Sequence, residues 1–421
     1  MMPTSEFSTS IRRLLSEIGY RHEPFPSYDA EFREPFHLWI STTLGPTSSW
    51  GPKKLAEVEH TAGGIAERSY PYASTQLKLL FAKLTAIVTI IDDSIEDEAV
   101  YKHLVQFSAK LYRGEAQQNE LLAVYNATLK ELSEVYGDDS VLRGLAIVPW
   151  INFVDACLME KQIFGPERSK IVDPVQLRRF GNEDSLALKF PHYLRSKTGI
   201  AEAYAAGIFK ATESQYLPLQ KYIKALPDLT FYIEAFNDIL SFHKEEIAGE
   251  TYNLIHLRTR SISSSGVPGT GANGEWTPYD TLRLLCDEVI EAAHRIDGLL
   301  RLDECERKLR GEAVESDVDE VDIQIAIQWS GYRHGYVSWH LECRRYQLGS
   351  LKLALDGGAP EGCRQLETPG MIGAGDCSNY RIIDSCYIEH TEGGDLGKTF
   401  KETESRYSSE MEQASERLRP P

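Results

Sequence analysis

The stretch Leu77-Lys78-Leu79-Leu80-Phe81-Ala82-Lys83-Leu84-Thr85-Ala86-Ile87-Val88-Thr89-Ile90-Ile91-Asp92-Asp93 decides the fold. Leu77, Leu80, Phe81, Leu84, Ile87, Val88 and Ile91 recur at the spacing of a helix with one apolar face. That helix, starting near Ser74, runs into Asp92-Asp93-Ser94-Ile95-Glu96-Asp97. On a continuing helix, Asp92 with Glu96 and Asp93 with Asp97 form adjacent i, i+4 pairs. Their mutual repulsion is a cost that a bound cation removes. A solvated acidic helix end is the plainer alternative, since Glu98 extends the run. The run terminates a core helix, however, which puts it at the mouth of a bundle.

The same periodicity continues outward. A helix surrounds Ile11–Ile18, followed by a connection through Pro24, Pro26 and Pro35. Gln117–Tyr136 is amphipathic and stops at Gly137. Val141–Phe164 is apolar nearly all round and holds Pro149, as a central, kinked core helix would. A charged insertion (Glu167–Leu188) precedes Phe190–Ala211, where Gly199 and Gly207 permit close packing or a break. Leu229–Ala248 ends at Gly249. Arg260–Gly274 reads as a mobile Ser/Gly-rich loop. Thr277-Pro278 opens a helix to about Leu300, and the last long helix is Val321–Leu348. No segment alternates like a strand and no repeat is visible. The expectation is all-α, a single bundle of about ten helices around an apolar cavity. Residues 1–70 form an N-terminal helical segment, 71–348 the body, and 349–421 a weakly ordered tail.

Composition bounds the function. The chain has 421 residues, 42% of them hydrophobic, enough for a large core, and a net charge of −18. Such acidity argues against a nucleic-acid partner, because phosphate backbones demand a basic face. A phosphorylated ligand would need metal ions and a few placed cations. No signal-peptide core opens the chain, and the apolar run Leu84–Ile91 is too short to span a bilayer. The seven cysteines show no C-x-x-C spacing, so a reduced, cytoplasmic setting is expected. A homodimer is left open.

A second polar cluster lies far downstream, at Asn237-Asp238-Ile239-Leu240-Ser241-Phe242-His243-Lys244-Glu245. Asn237, Ser241 and Glu245 fall at i, i+4 and i+8, on one helix face. An amide oxygen, a hydroxyl and a carboxylate make hard oxygen ligands suited to Mg²⁺, which is often shared with substrate phosphates. Lys244 adds a point charge for the same phosphates. Taken alone, the pattern equally fits an ordinary polar stripe. Arg344-Arg345-Tyr346, at the end of the last long helix, offers guanidiniums and a phenol to an oxyanion. The helix dipole also favours cations there. For Arg195, in Tyr193-Leu194-Arg195-Ser196-Lys197-Thr198-Gly199, spacing alone favours a surface arginine.

These motifs resemble those of class I terpene cyclases over roughly residues 70–348. The acidic cluster resembles their aspartate-rich motif, and Asn237/Ser241/Glu245 matches their second metal motif at all three ligand positions. His334-Gly335-Tyr336-Val337-Ser338-Trp339-His340-Leu341 with Arg344-Arg345-Tyr346 looks like the fungal trichodiene-synthase branch. The resemblance implies a helical bundle that binds farnesyl diphosphate through three Mg²⁺ ions. Asp92 would ligate two of them, and Asn237, Ser241 and Glu245 the third. Arg195, Lys244, Arg345 and Tyr346 match diphosphate-binding positions, and Asp93, Glu96 and Asp97 are supporting candidates. Ile95-Glu96 departs from that branch, which often carries a basic residue and an aspartate there. As a whole-chain impression, the chain leans toward 1,11 closure to α-humulene rather than 1,6 closure to trichodiene or bisabolyl products.

Ionising an allylic diphosphate needs charge stabilisation on the leaving group and a closed apolar chamber for the cation. Phe81, Phe153, Tyr232, Phe236, Trp329, Tyr332 and Trp339 lie on helices suited to face that chamber, about one in three lining it and the rest core. The Arg260–Gly274 loop and the segment after Tyr346 are candidates to close it. Three other readings compete. A chain-elongating prenyltransferase would carry a second aspartate-rich motif. A protonation-initiated cyclase would need an acid such as Asp317-Val318-Asp319-Glu320, which reads better as a helix cap. A non-catalytic helical scaffold would leave the Asn/Ser/Glu face without a reason.

Overall fold

The computed structural model describes residues 4–22, 29–168, 187–210, 217–314 and 317–351, and among these the regular elements are all helical. In chain order the α-helices are α1 Thr4–Glu17, α2 Ala30–Trp39, α3 Pro52–Ser69, α4 Thr75–Asp93, α5 Glu98–Leu104, α6 Phe107–Arg113, α7 Glu120–Val135, α8 Ser140–Arg168, α9 Phe190–Thr198, α10 Ala201–Ile208, α11 Leu226–Ala248, α12 Leu254–Ser263, α13 Pro278–Leu299, α14 Leu302–Leu309 and α15 Glu320–Glu342. The expected tail beyond 351 and most of the Glu167–Leu188 insertion lie outside the described residues.

Helix starts follow local chemistry. Ser74 accepts from Leu77 N to cap α4, Asn119 accepts from Leu122 N to cap α7, and Asn253 accepts from His256 N to cap α12. Asp319 caps α15 in a reciprocal box with Asp322, the capping role expected for this acidic segment. Gly249 adopts φ 72° and ends α11.

One large core joins most of these helices, with Ile11, Leu14 and Leu15 of α1 as deeply buried as Leu84 of α4 or Trp329 of α15, and a small second cluster joins Phe164, Leu194 and Leu257. Each fully buried large apolar side chain contributes about 1.5–3 kcal/mol. α3 crosses α15 at very close range. A Cβ on Gly335 would collide with the Arg68 carbonyl oxygen, and one on Gly64 would lie 2.9 Å from Trp339 Cδ1. The indole of Trp339 seals the crossing by donating to Thr61 O at 3.1 Å.

Four expectations are corrected here. α4 ends at Asp93, and Asp97 turns outward to cap α5 by accepting from Ala99 N at 2.8 Å. The acidic cluster therefore does not continue the helix, and its carboxylates do not stack in i, i+4 pairs. α8 is not buried all round: Val141 and Val148 are about half exposed, although Trp150 and Val154 are buried. By length and composition its Ser140–Phe164 stretch could cross a membrane, and much of it is buried within the protein. α15 stops at Glu342, because Cys343 adopts an extended conformation (ψ 121°) and Arg344–Tyr346 form a separate turn.

The fourth correction concerns Arg260–Gly274. Helix α12 continues through Ser263, and the remainder is tied to α13 by one carboxylate. Asp280 accepts from Thr270 N at 3.1 Å, Thr270 Oγ1 at 2.9 Å, Thr277 N at 2.8 Å and Thr277 Oγ1 at 2.7 Å. Burial alone would raise this carboxyl, but the hydrogen bonds from Thr277 and Thr270 outweigh it and hold it well below the usual range. Its stabilisation is therefore present above the unfolded carboxyl pKa and is lost as pH falls through the folded one. Asp280→Ala is expected to cost roughly 2–3 kcal/mol at neutral pH. Urea unfolding measures that loss, and hydrogen exchange should speed up across 264–277.

Candidate active site

The eight candidate residues meet. Asp92 from α4, Arg195 from α9, Asn237, Ser241, Lys244 and Glu245 from α11, and Arg345 and Tyr346 from the turn after α15 all line one cavity of about 360 Å³. A second cavity of about 190 Å³ adjoins it, since Asp92, Phe153, Arg195, Asn237, Arg345 and Tyr346 line both. The apolar part of its wall comes from Ile65, Val88, Ile200, Tyr204, Ile233, Tyr336 and Trp339, with hydroxyls of Thr61, Thr85 and Thr89 beside them. Of the aromatics expected near it, Phe153 and Trp339 are lining residues. Tyr232, Trp329 and Tyr332 are fully buried core and line neither cavity.

Arg195 is not the surface arginine that spacing favours. Its Nε donates to Asp238 Oδ2 at 2.7 Å and its Nη2 to Asn237 Oδ1 at 3.2 Å. Burial works to discharge the guanidinium, but Asp238 and Glu234 outweigh it and hold the charge. The carboxyls shift upward in turn, chiefly through burial. Glu234 is pushed up to about 7 and Asp238 to about 6, with Arg195 pulling both back. Behind Arg195 the helix breaks at Gly199, one of the two glycines expected to allow it, while Gly207 lies within α10. Ile200 takes φ 56°, a left-handed conformation costing about 1–2 kcal/mol, and separates α9 from α10. A Cβ on Gly199 would strike Arg195 Nη1 at 2.7 Å and Glu234 Cγ at 2.8 Å.

On α11 the predicted face is present and occupied by protein partners. Asn237 Nδ2 donates to Tyr346 Oη at 2.8 Å. Ser241 Oγ donates to Asp238 O at 3.4 Å. Glu245 accepts from Lys244 Nζ at 3.1 Å and from Asn253 Nδ2 at 2.8 Å. The turn at Cys343 matters here, because it brings Tyr346 back onto α11, which a helix continuing to Leu348 would not do. Supporting residues of the acidic cluster are dispersed. Asp93 pairs with Lys54 at 3.2 Å, and Glu96 and Glu98 with Lys161 at 3.4 and 3.6 Å. Only Asp92 and Asp93 of that cluster line the cavity.

Reading the sequence missed Glu234, Asp238 and Asn253. Glu234, Asp238 and Ser241 share one face by spacing, a signal that two acids on a buried stripe need a cation. Glu234 also carries a buried Oε1 without a hydrogen-bond partner. Above its unfolded pKa near 4.5 the folded state alone keeps the proton. Folding is therefore penalised increasingly from about pH 4.5 to 7, by up to about 3 kcal/mol. Glu234→Gln should flatten the fall in stability over that window, as read by urea midpoints at pH 5 and 8.

Among the described residues no three His, Cys, Asp or Glu side chains form a ready metal cluster. The cavity instead offers separated hard oxygens: Asp92 and Asp93 from α4, Glu160 from α8, and the Asn237/Ser241/Glu245 face. That chemistry fits a magnesium ion completed by substrate phosphates and water, with few protein ligands per ion.

No protein-family model matches the chain. It is similar to terpene synthase BipA of Cochliobolus sativus, 29% identical over 279 residues, covering 66% of this chain and 71% of that protein. Trichodiene synthase of Fusarium sporotrichioides is 21% identical, with 97% of this chain and 98% of that one covered. Among solved structures, linalool/nerolidol synthase from Streptomyces clavuligerus in complex with 2-fluorogeranyl diphosphate matches with a TM-score of 0.50. Its identity is 15%, with coverage of 74% of this chain and 98% of that chain, and the likeness shows the fold. Such relatives set aside a non-catalytic scaffold. Aligned with a terpene synthase along almost its entire length and sharing the helical fold of the solved synthase, the chain is similar to the class I terpene cyclases.

Proposed function

We propose that this cyclase is a sesquiterpene synthase that ionises farnesyl diphosphate in the presence of Mg²⁺ and cyclises the resulting cation. One observation carries the proposal: two oxygen-rich helix faces remote in sequence, Asp92 and Asn237/Ser241/Glu245, line one cavity with four diphosphate-binding candidates, and a second cavity with aromatic and aliphatic lining adjoins it. Asp92 would hold metal from α4, and Asn237, Ser241 and Glu245 from α11. When bound, magnesium neutralises the charge developing on the leaving diphosphate. Arg195, Lys244, Arg345 and Tyr346 bind and orient the diphosphate. The three cations and the Tyr346 hydroxyl are preplaced, so little reorganisation opposes ionisation. Tyr204, Tyr336 and Trp339 turn aromatic surface toward the chamber and exclude water from the cation, each ring face worth about 0.5–2 kcal/mol. Four described cysteines are free and buried, which supports the reading of a reduced cytoplasmic setting.

We lean to 1,11 closure and an α-humulene product, on the overall sequence impression. The similarity to trichodiene synthase across 97% of the chain favours a second reading, 1,6 closure to a bisabolyl-type cation. Incubation with farnesyl diphosphate, with pyrophosphate release assayed and the hydrocarbon identified by mass spectrometry, separates them. Release should require Mg²⁺ and vanish on chelation. Asp92→Ala should lower turnover by at least about 10²-fold with an unchanged helical spectrum. Near-normal turnover would remove Asp92 from the metal site.

A further inference from the structure

One histidine of α15 plays no part in the account above. His340 is fully buried and lines neither cavity, so it can reach the chemistry only through its neighbours. Its Nδ1 lies 2.8 Å from the Tyr336 carbonyl oxygen. A carbonyl only accepts, so Nδ1 carries the hydrogen and the neutral ring presents a bare lone pair at Nε2. That lone pair lies 3.2 Å from Asn237 Nδ2, which therefore donates to it. The second hydrogen of the same amide goes to Tyr346 Oη at 2.8 Å. The carboxamide is thereby fixed with Oδ1 toward Arg195 Nη2 at 3.2 Å. Turned over, it would set oxygen against the Nε2 lone pair and NH₂ against the guanidinium, two repulsive pairings. The ring is itself boxed by Tyr336, Trp339 and Tyr346, at centroid distances of 4.3, 4.4 and 4.6 Å.

We infer that His340 is a positioning residue that locks the amide oxygen of Asn237 in the orientation needed to ligate metal at the diphosphate site. The inference rests on the function proposed above. An outer partner that orients a ligand typically matters 10–100-fold in metal affinity. Two substitutions separate positioning from packing. An asparagine at 340 can occupy the Nδ1 position and keep the Tyr336 bond, but it does not reach Asn237. A glutamine places an acceptor where Nε2 stood.

Titration calorimetry of the substrate-free full chain with inorganic pyrophosphate and Mg²⁺ provides the readout, beside melting temperatures. His340→Asn should weaken binding about 10–100-fold, whereas His340→Gln should stay within about threefold of the parent. Equal binding by both variants, or losses that simply track melting temperature, would overturn the inference. Should either variant fail to fold, ¹⁵N-histidine NMR of the parent decides, since an Nε2–H tautomer at His340 is incompatible with accepting from Asn237. Asn237→Ala run alongside keeps the two levels apart. Normal binding there removes the metal-ligand reading itself, while weak binding there with normal His340→Asn removes only the role of His340.

Discussion

Asn237→Ala is expected to lower turnover of farnesyl diphosphate by at least about 10³-fold while leaving the fold intact. Losing a single donor aimed at developing charge costs about 10²–10³-fold in other enzymes. This substitution removes a proposed metal ligand and also three hydrogen bonds that organise the site. Arg195 Nη2 loses one of its two acceptors, keeping only the Glu234 carbonyl oxygen at 3.5 Å, and Tyr346 Oη and His340 Nε2 lose their donor. The stability cost should be modest, because Arg195 retains its 2.7 Å bond to Asp238 and the alanine favours helix. Pyrophosphate release under single-turnover conditions, paired with a melting curve, measures both halves. Turnover within tenfold of the parent would exclude Asn237 from the chemistry.

Arg195→Ala should fail more broadly. Asp238 is buried, and Glu234 beside it already has a carboxylate oxygen without a partner. Removing the guanidinium leaves the pair uncompensated, which for buried ion pairs costs about 3–5 kcal/mol. Adding Asp238→Asn should return most of that stability, because the uncompensated charge disappears with it. Turnover should not return, since no cation then faces the diphosphate from α9. Urea unfolding and pyrophosphate release of the single and double variants test the two statements separately. Recovery of turnover in the double variant would show that Arg195 acts only as a structural counter-ion.

Much of this was legible from periodicity. The α4 and α11 faces could be read because apolar residues at helical spacing fix which side is buried, and Gly249 marks where α11 ends. The capping boxes at Thr277/Asp280 and Asp319/Asp322 are local, so they too are written in adjacent residues. What stayed hidden is non-local or carries no local marker. Arg195 finds Asp238 43 positions away, and helical spacing has nothing to say about that pairing. α15 stops at Cys343 with neither glycine nor proline to announce it. α8 is apolar on most sides, so its pattern gave no orientation, and part of its apolar surface faces outward. The acidic cluster misled for a physical reason: Asp97 is worth more as the cap of α5 than as a further helical carboxylate beside its neighbours. The loop before α13 looked mobile by composition, while the carboxylate that holds it, Asp280, lies beyond it in the next helix.

Diffraction from crystals soaked with Mn²⁺ and inorganic pyrophosphate tests the central claim most directly, because manganese scatters anomalously where magnesium does not. The account predicts anomalous peaks beside Asp92 and beside Asn237, Ser241 and Glu245, with the pyrophosphate between them and in contact with Arg195 and Arg345. Peaks confined to surface carboxylates, or a pyrophosphate bound away from Asp92 and Asn237, would contradict it.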